Sequence, residues 1–281
     1  MQTSLLVRLV TSPPLPAVIV DDLRRRLAAA GTLLACLNDD QLNISVISFR
    51  AELSNVGAAL ASLFEKIGEE GSAARAFRLD LQTPDPTTAL TEEAVRAIAV
   101  DVHGKLRSPV YIARRSVPAA AWKEARAMGW GRDGLGQPQN APVLPYSSSQ
   151  ALGVAIEIGA PSLLVKVQLI GVNEAQAERV LAAVGGPDGG FADVAAYIVG
   201  EQRDERWFCV LELSDVKRTP PARVLQVLEI ELRRYGGHLG AGAVLSHIPL
   251  QTLLDTLAFR TGLSAAPAQI IETHLGAAAN A

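Results

Sequence analysis

The sequence predicts an α/β (α+β) fold made of two ferredoxin-like βαββαβ subdomains, with facing mixed sheets and helices on the outer faces. Each half of the chain runs strand, helix, hairpin, helix, strand, which is the order of a split βαβ fold. Right-handed crossovers place both helices of a half on one face of its sheet, so the opposite faces are free to meet. We expect subdomains at residues 1–150 and 151–281, joined by the Pro-, Ser- and Asn-rich stretch 138–149.

The first half alternates strands and helices in that order. Residues 38–41 read Asn-Asp-Asp-Gln, a turn-rich link typical of a hairpin. Val56, Leu60 and Leu63 recur at the spacing of one helix face. The predicted elements are a strand at 5–10, a helix at 17–30, strands at 33–37 and 44–49, a helix at 56–67, a strand at 77–81, a helix at 91–102 and a strand at 109–112.

The second half repeats the order with clearer helix signals. Asn173 and Gln176 have the spacing of a capping box. Thr219 precedes two prolines, so we expect its side chain to be the N-cap of a helix with Pro221 in the first turn. The predicted elements are a strand at 163–169, a helix from 173 that Gly185 ends, strands at 194–199 and 207–213, a long helix from 219, a strand at 241–245 and a helix at 249–259.

Composition excludes several classes of function. The net charge is −3, and 49% of the residues are hydrophobic against 20% charged, which is typical of a well-buried globular protein. Nucleic-acid binding would need a basic stripe, and Arg24 to Arg26 follow two aspartates that can neutralise them. No apolar stretch is long enough to cross a membrane, and the N-terminus lacks the pattern of a signal peptide.

The two cysteines indicate a reducing compartment. Cys36 and Cys209 are far apart, and each lies within an apolar run. This pattern favours buried strand residues over a disulfide or a metal pair. We therefore expect a cytoplasmic protein.

Motifs for phosphate, metal and nucleophile chemistry are weak. Residues 236–242 read Gly-Gly-His-Leu-Gly-Ala-Gly, but they run from helix to strand, so a helix C-cap and turn is the better interpretation. The four histidines form no ligand pair, so we expect no metal. Ser246 and His247 precede a helix N-terminus, which favours weak anion binding at this point.

The second half resembles the C-terminal subdomain of glutamate formiminotransferases. Residues 211–220 read Leu-Glu-Leu-Ser-Asp-Val-Lys-Arg-Thr-Pro and are similar to the family's Asn-Leu-x-Asp-(Phe/Tyr)-x-x-Thr-(Pro/Ala) joint. Residues 240–250 resemble its Gly-Ser-(Glu/Gln)-Leu-Val-Gly-Leu-Val-Pro-Leu, and 248–250 keep its end as Ile-Pro-Leu. Residues 159–161 read Gly-Ala-Pro where the family has Gly-Ala-Arg before its first strand.

The first half resembles the N-terminal subdomain around its hairpin. Residues 33–34 and 43–49 are similar to the family's Leu-Leu-Asp-Val-Asp and Asn-Arg-(Ser/Thr)-Val-x-Thr-Phe, and 109–112 to its Pro-Val-Tyr-Leu. The resemblance covers about two thirds of the chain. It implies tetrahydrofolate in a tunnel between facing sheets, with a histidine as acid and base in moving a formimino group to or from glutamate. It also implies a homodimer.

The catalytic groups of that family are replaced here. Its two hairpin aspartates fall on Ala35 and Leu37, and its arginine falls on Ile44. Its His-x-Gly-Glu-His-Pro-Arg stretch has no counterpart, because residues 64–77 contain no histidine. Losing a general acid or base costs about 10²–10⁴ in rate. We therefore predict a catalytically degenerate formiminotransferase-like protein, a pseudoenzyme that binds a ligand.

The resemblance also implies where such a ligand is held. The segment before Gly159 resembles the family's folate-contacting Pro-Ser-Ser stretch, although a plain linker explains it equally well. The predicted contacts to a small-molecule ligand, with tetrahydrofolate as the candidate cofactor, are Tyr146, Ser147, Ser148, Gln150 and Gly153.

Two other functions stay open from the sequence. One is an active formimino transferase that uses a residue the family does not, with His247, His103 and Asp39 as the candidate catalytic residues. The other is a non-catalytic assembly or interaction module, which the apolar replacements at the hairpin favour.

Overall fold

In the computed structural model, the residues described are 4–12, 15, 22–23, 25–27, 30–42, 44–69, 76–83, 90–106, 110–114, 154–159, 162–185, 190–201 and 206–261. The chain forms two compact units, Met1–Pro161 with Tyr197–Glu205, and Ser162–Ala196 with Arg206–Ala281. The predicted linker at 138–149 lies outside the described residues, and the predicted boundary at residue 150 stays a prediction.

The first unit contains a six-stranded mixed sheet. Its strands are β1 (Ser4–Ser12), β2 (Thr32–Asp39), β3 (Ile44–Glu52), β4 (Ala76–Gln82), β5 (Val110–Arg114) and β6 (Val154–Gly159). Their order is β2-β3-β1-β4-β6-β5. The first four strands are antiparallel and have the order of a split βαβ fold, as predicted. β6 pairs in parallel with both β4 and β5, which the sequence did not predict.

The helices of the first unit pack on one face of this sheet, and the hydrophobic core lies between them and the sheet. The helices are α1 (Val56–Glu69), after a short 3-10 turn at Leu53–Asn55, and α2 (Glu92–Leu106). Residues 22–23 and 25–27 are also helical, within the predicted helix at 17–30. Leu5, Val7 and Leu9 of β1 belong to the same buried cluster as residues of these helices. Because side chains alternate along a strand, Leu6 and Arg8 of β1 lie on the other face of the sheet, away from the helices.

The second unit repeats the topology. The strands of its sheet are β7 (Leu163–Ile170), β8 (Val194–Glu201), β9 (Arg206–Leu213) and β10 (His238–Val244), and its helices are α3 (Glu174–Gly185), α4 (Pro221–Arg233) and α5 (Leu250–Thr261). Within β8, the residues from Tyr197 onward belong to the first unit. The strand order β10-β7-β9-β8 places the first and third strands of this sheet at its centre, the same arrangement as among the first four strands of the first sheet, β2-β3-β1-β4. The prediction of two ferredoxin-like subdomains is confirmed.

Local helix signals in the second unit had mixed outcomes. The capping box before α3 is confirmed by two reciprocal hydrogen bonds. The backbone N–H of Asn173 donates to the side-chain Oε1 of Gln176 at 2.9 Å, and the backbone N–H of Gln176 donates to the side-chain Oδ1 of Asn173 at 3.0 Å. The end of α4 is confirmed as well. Gly236 has a φ of 77°, and the Gly237 amide donates to the carbonyl of Leu232 at 3.0 Å.

The predicted N-cap of α4 was wrong. The N-cap residue is Pro220, with extended backbone and no side-chain cap. The hydroxyl of Thr219 instead donates to Oδ2 of Asp193 at 3.2 Å, and Thr219 is buried. The hydroxyl therefore binds Asp193, the residue before β8, and accepts no hydrogen bond from the first turn of α4.

Candidate functional site

The face of the first sheet opposite the helices carries buried polar residues. Arg8 lies between core residues Val7 and Leu9 on β1, so its side chain is on this opposite face. The backbone register pairs Arg8 with Ser48 of β3 on one side and with Asp80 of β4 on the other. Directly opposed residues of antiparallel strands share a face. Three neighbouring strands therefore contribute one polar row.

The centre of this row is an ion pair. Arg8 donates from Nε to Oδ2 of Asp80 at 2.6 Å, and its Nη2 lies 2.5 Å from the same oxygen. The side chains of Arg8 and Asp80 are 2% and 0% exposed. Removing two charges from water costs free energy that their attraction repays only with good geometry. The burial of this ion pair therefore does not by itself show that the pair stabilises the fold, and it makes the surrounding polar residues a candidate functional site.

A second polar group lies two residues along β4. Gln82 is 2% exposed and shares the face of Asp80, because it is two residues away on the same strand. Its Nε2 is buried and donates no hydrogen bond within the part of the chain that the structure describes. An unsatisfied buried donor costs about 1–3 kcal/mol. We call the side of the sheet defined by Ser48, Arg8, Asp80 and Gln82 the polar face.

The hairpin positions of the sequence resemblance border the same face. Ala35 pairs with Ser48, Leu37 with Val46, and Asp39 with Ile44, so this alternate set of β2 side chains lies on the polar face. The positions where the resemblance expects two aspartates thus join the row of Arg8 and Asp80, but with apolar side chains. On the other side of β4, the backbone of Glu157 in β6 pairs with that of Asp80.

Asp39 has a structural contact in its turn. Its Oδ1 accepts a hydrogen bond from the amide of Leu42 at 3.0 Å, which closes the link between β2 and β3. It lies at the end of the edge strand of the sheet, five strands from β5 at the opposite edge. Its predicted catalytic role stays a prediction.

The two candidate histidines lie on other elements. His103 is half-buried on α2, the helix that precedes β5. His247 is half-buried in the second unit, between β10 and α5. Asp39, His103 and His247 therefore lie in three separate parts of the fold, and their catalytic roles stay predictions.

The weak anion site predicted at Ser246 and His247 has a structural use. The Oγ of Ser246 accepts a hydrogen bond from the amide of Leu164 at 2.8 Å and donates to the carbonyl of His247 at 3.2 Å. The hydroxyl thus ties the end of β10 to β7. It is engaged by backbone groups rather than directed at the N-terminus of α5.

The predicted ligand contacts lie outside the described residues. These are Tyr146, Ser147, Ser148, Gln150 and Gly153. Within the described ranges, no group of three His, Cys, Asp or Glu side chains could hold a metal ion. In the same ranges, no helix has the length and apolar character needed to cross a bilayer.

The second unit has its own buried charges. Ser162 donates to Oε1 of Glu212 at 2.8 Å, and both are buried. Nζ of Lys166 lies 5.1 Å from the ring centre of Phe208, a cation–π contact. The hydrogen bond to Glu212 and the ring contact of Lys166 offset the cost of burying these two charges, so their burial does not require a ligand.

Both cysteines are free and both lie in strands. The prediction of a buried strand residue is confirmed for Cys209, whereas Cys36 on the edge strand β2 is only half-buried. Burial raises the pKa of the Cys36 thiol. Complete burial raises the pKa of the Cys209 thiol much further. A thiol with a raised pKa is a poor nucleophile at neutral pH, so neither cysteine has the environment of a reactive residue.

Sequence reasoning missed the polar face, although a signal was present. Residues 77–82 read Phe-Arg-Leu-Asp-Leu-Gln, a strict alternation of apolar and polar residues. Arg8 interrupts an apolar strand in the same way. The alternation places Asp80 and Gln82 on one side of the strand. Whether that side is buried depends on the pairing with β1, which the pattern alone does not specify.

Comparisons with known proteins give no family for this chain. No family model matches it, and no curated protein matches it. Among solved structures it is similar to the periplasmic protease PqqL from Escherichia coli, with 10% identity and a TM-score of 0.19 over 99% of this chain and 38% of that chain. The chain thus spans well under half of that protease, and so low a TM-score carries no information about its function.

Proposed function

We propose that the chain is a formiminotransferase-like protein of the folate type that binds a small, flat, polar ligand and does not transfer a formimino group. The observation that carries this proposal is the buried amide donor of Gln82 beside the buried Arg8–Asp80 pair. A ligand that offers an acceptor atom to Nε2 of Gln82 would remove the cost of an unsatisfied donor.

A reduced pterin fits this donor. Its ring carries a carbonyl oxygen that can accept from Gln82, and its flat faces suit the surface of a sheet. Tyr146, Ser147, Ser148, Gln150 and Gly153 would hold the rest of tetrahydrofolate, as the resemblance implies. When bound, tetrahydrofolate would supply a ring nitrogen that carries a one-carbon unit.

The lack of transferase activity follows from the replaced hairpin residues. Ala35 and Leu37 offer no proton-transfer group on the polar face. The guanidinium of Arg8 directs two nitrogens at Asp80, which makes it a poor partner for a substrate carboxylate. A cytoplasmic location is part of the proposal, since both cysteines are free.

Titration calorimetry tests the proposal. We expect tetrahydrofolate and 5-formiminotetrahydrofolate to bind with measurable heat at high micromolar concentration. Gln82→Leu removes the amide at similar size and should weaken binding about tenfold, the equivalent of one hydrogen bond of about 1.4 kcal/mol. Gln226→Leu changes an exposed glutamine of α4 and should leave binding unchanged.

Other results would support the alternatives. Formimino transfer that His247→Ala abolishes and His238→Ala preserves would establish an active enzyme. An absence of both heat and turnover would remove the folate proposal and favour an interaction module. Equal weakening by Gln82→Leu and Gln226→Leu would contradict the proposed location of the ligand.

A further inference from the structure

The polar face carries a second buried polar atom, at the end of β3. Glu52 is the last residue of this strand and follows Ala51, which belongs to the buried core cluster. Because side chains alternate along a strand, Glu52 lies on the polar face with Ser48. Its Oε2 is buried and accepts no hydrogen bond within the described part of the chain. An ionised carboxylate has no proton to donate, so this oxygen is an acceptor that lacks a donor.

Glu52 and Gln82 lie on either side of β1. The backbone register pairs Glu52 with Ser4 of β1 and pairs Gln82 with Leu6 of β1. Two strand spacings and two residues along the strand separate them, which corresponds to about 12 Å between their backbones. The acceptor of Glu52 and the donor of Gln82 do not bond each other across this distance. One face of the sheet therefore holds a buried acceptor and a buried donor with β1 between them.

The nearest cation on the same strand has another partner. Arg50 is two residues before Glu52 and is exposed, and its Nε donates to Oγ of Ser4 at 2.8 Å. This guanidinium leaves Oε2 of Glu52 unsatisfied. A donor from a ligand would remove the cost of that buried acceptor, just as an acceptor from the ligand would for Gln82.

A ring edge with an amino group on one side and a carbonyl on the other matches both atoms. The amino group and the ring N–H beside it would donate to the carboxylate of Glu52, a charge-assisted contact. The carbonyl oxygen would accept from Nε2 of Gln82. Leu6 lies on β1 on the same face and is half-buried, so it offers an apolar surface to the flat side of the ring.

We propose that Glu52 and Gln82 together recognise the amino–oxo edge of a nitrogen heterocycle, the edge that pterins share with guanine. The inference rests on the proposed function for the contact at Gln82, and it adds Glu52 as the residue that selects the amino group. A ring with a carbonyl in place of the amino group would direct an oxygen at the Glu52 carboxylate. Repulsion between the two oxygens would then exclude that ring.

Titration calorimetry of the full chain with two pairs of rings tests this inference. Pterin and guanosine carry the amino group, whereas lumazine carries a carbonyl in its place and inosine a hydrogen. We expect the wild type to bind pterin at least about tenfold more tightly than lumazine. Glu52→Gln should abolish this preference, because its amide can donate to the second carbonyl of lumazine.

A matched control separates recognition from a general effect of charge. Glu93→Gln removes the same charge from an exposed residue of α2, and it should keep the preference for pterin over lumazine. Glu52→Gln should keep the circular dichroism spectrum and the melting temperature of the wild type, because Oε2 of Glu52 holds no hydrogen bond that the change would break.

The outcomes distinguish this inference from the proposed function. If tetrahydrofolate binds and Gln82→Leu weakens it, but Glu52→Gln leaves the pterin preference intact, the inference is overturned and the proposed function stands. If guanosine binds more tightly than inosine through Glu52 while pterin does not bind, the inference stands and the folate proposal fails. An absence of heat from all of these rings would overturn the inference, with ordered water as the partner of both buried atoms.

Discussion

Arg8 and Asp80, 72 residues apart in the chain, meet on adjacent strands through two nitrogens that contact one oxygen, at 2.6 and 2.5 Å. Both side chains are buried, so neither charge can be relaxed by water if the other is removed. The pair lies in the middle of the sheet, where β1 and β4 are both held by further strands. A change at either residue therefore tests how much the polar face contributes to folding.

Asp80→Ala should lower the free energy of unfolding by about 3–5 kcal/mol, because it leaves the Arg8 charge buried without its partner. The double variant Arg8→Met with Asp80→Leu should recover most of this loss, since no charge remains in the interior. Urea denaturation measures both. Arg233→Ala breaks the exposed pair with Glu229, and it should cost no more than about 1 kcal/mol. A double variant less stable than Asp80→Ala would contradict this account.

Thr219→Val should destabilise the protein by about 1 kcal/mol through loss of the hydrogen bond to Asp193. Thr219→Asn separates this contact from helix capping, since asparagine is a strong N-cap residue. We expect Thr219→Asn to be no more stable than Thr219→Val in thermal unfolding. If asparagine restored wild-type stability, the hydroxyl would be acting as a cap after all.

Gly190→Ala should destabilise the second unit more than Gly236→Ala does. Both glycines have a positive φ, 75° and 77°, so alanine is strained at either position by about 1–2 kcal/mol. A Cβ at Gly190 would also clash with the backbone carbonyl of Val184, whereas one at Gly236 meets nothing within 4 Å. Chemical denaturation of the two variants isolates the clash. Equal losses would show that α3 shifts to make room.

Cys209 should make stability fall at alkaline pH. Its thiol pKa is raised by burial above the ordinary value of 9.0, so the folded thiol stays protonated while the unfolded thiol ionises. The contribution of the Cys209 thiol to the free energy of unfolding is complete below the unfolded-state pKa of 9.0, and it declines as the pH rises above 9.0. Between about pH 8 and about pH 10, the wild type should lose about 1.4 kcal/mol more than Cys209→Val. Identical losses in urea melts would rule out this linkage.

Local signals predicted the fold well. The spacing of Val56, Leu60 and Leu63 identified α1, and the capping box identified the start of α3, because both depend on neighbours within a few residues. Glycine at the end of α4 was equally informative, since Gly236 adopts the positive φ that other residues avoid.

Contacts between residues far apart in the chain could not be predicted from the sequence. Local rules favoured Thr219 as a cap, but its acceptor is Asp193, 26 residues away. The polar face depends on the register of β1, β3 and β4, which no short pattern specifies. Strand β6 was missed for the same reason, because its partners β4 and β5 both precede it by many residues.

The position of β6 between β4 and β5 also constrains how the first sheet is completed during synthesis on the ribosome. β5 is translated first, yet its neighbour in the sheet is β6, which emerges about forty residues later. Until then β5 has no strand to join, and β4 is left as a temporary edge. A nascent chain stalled before Val154 should therefore present that edge to chaperones, and one released after Gly159 should not.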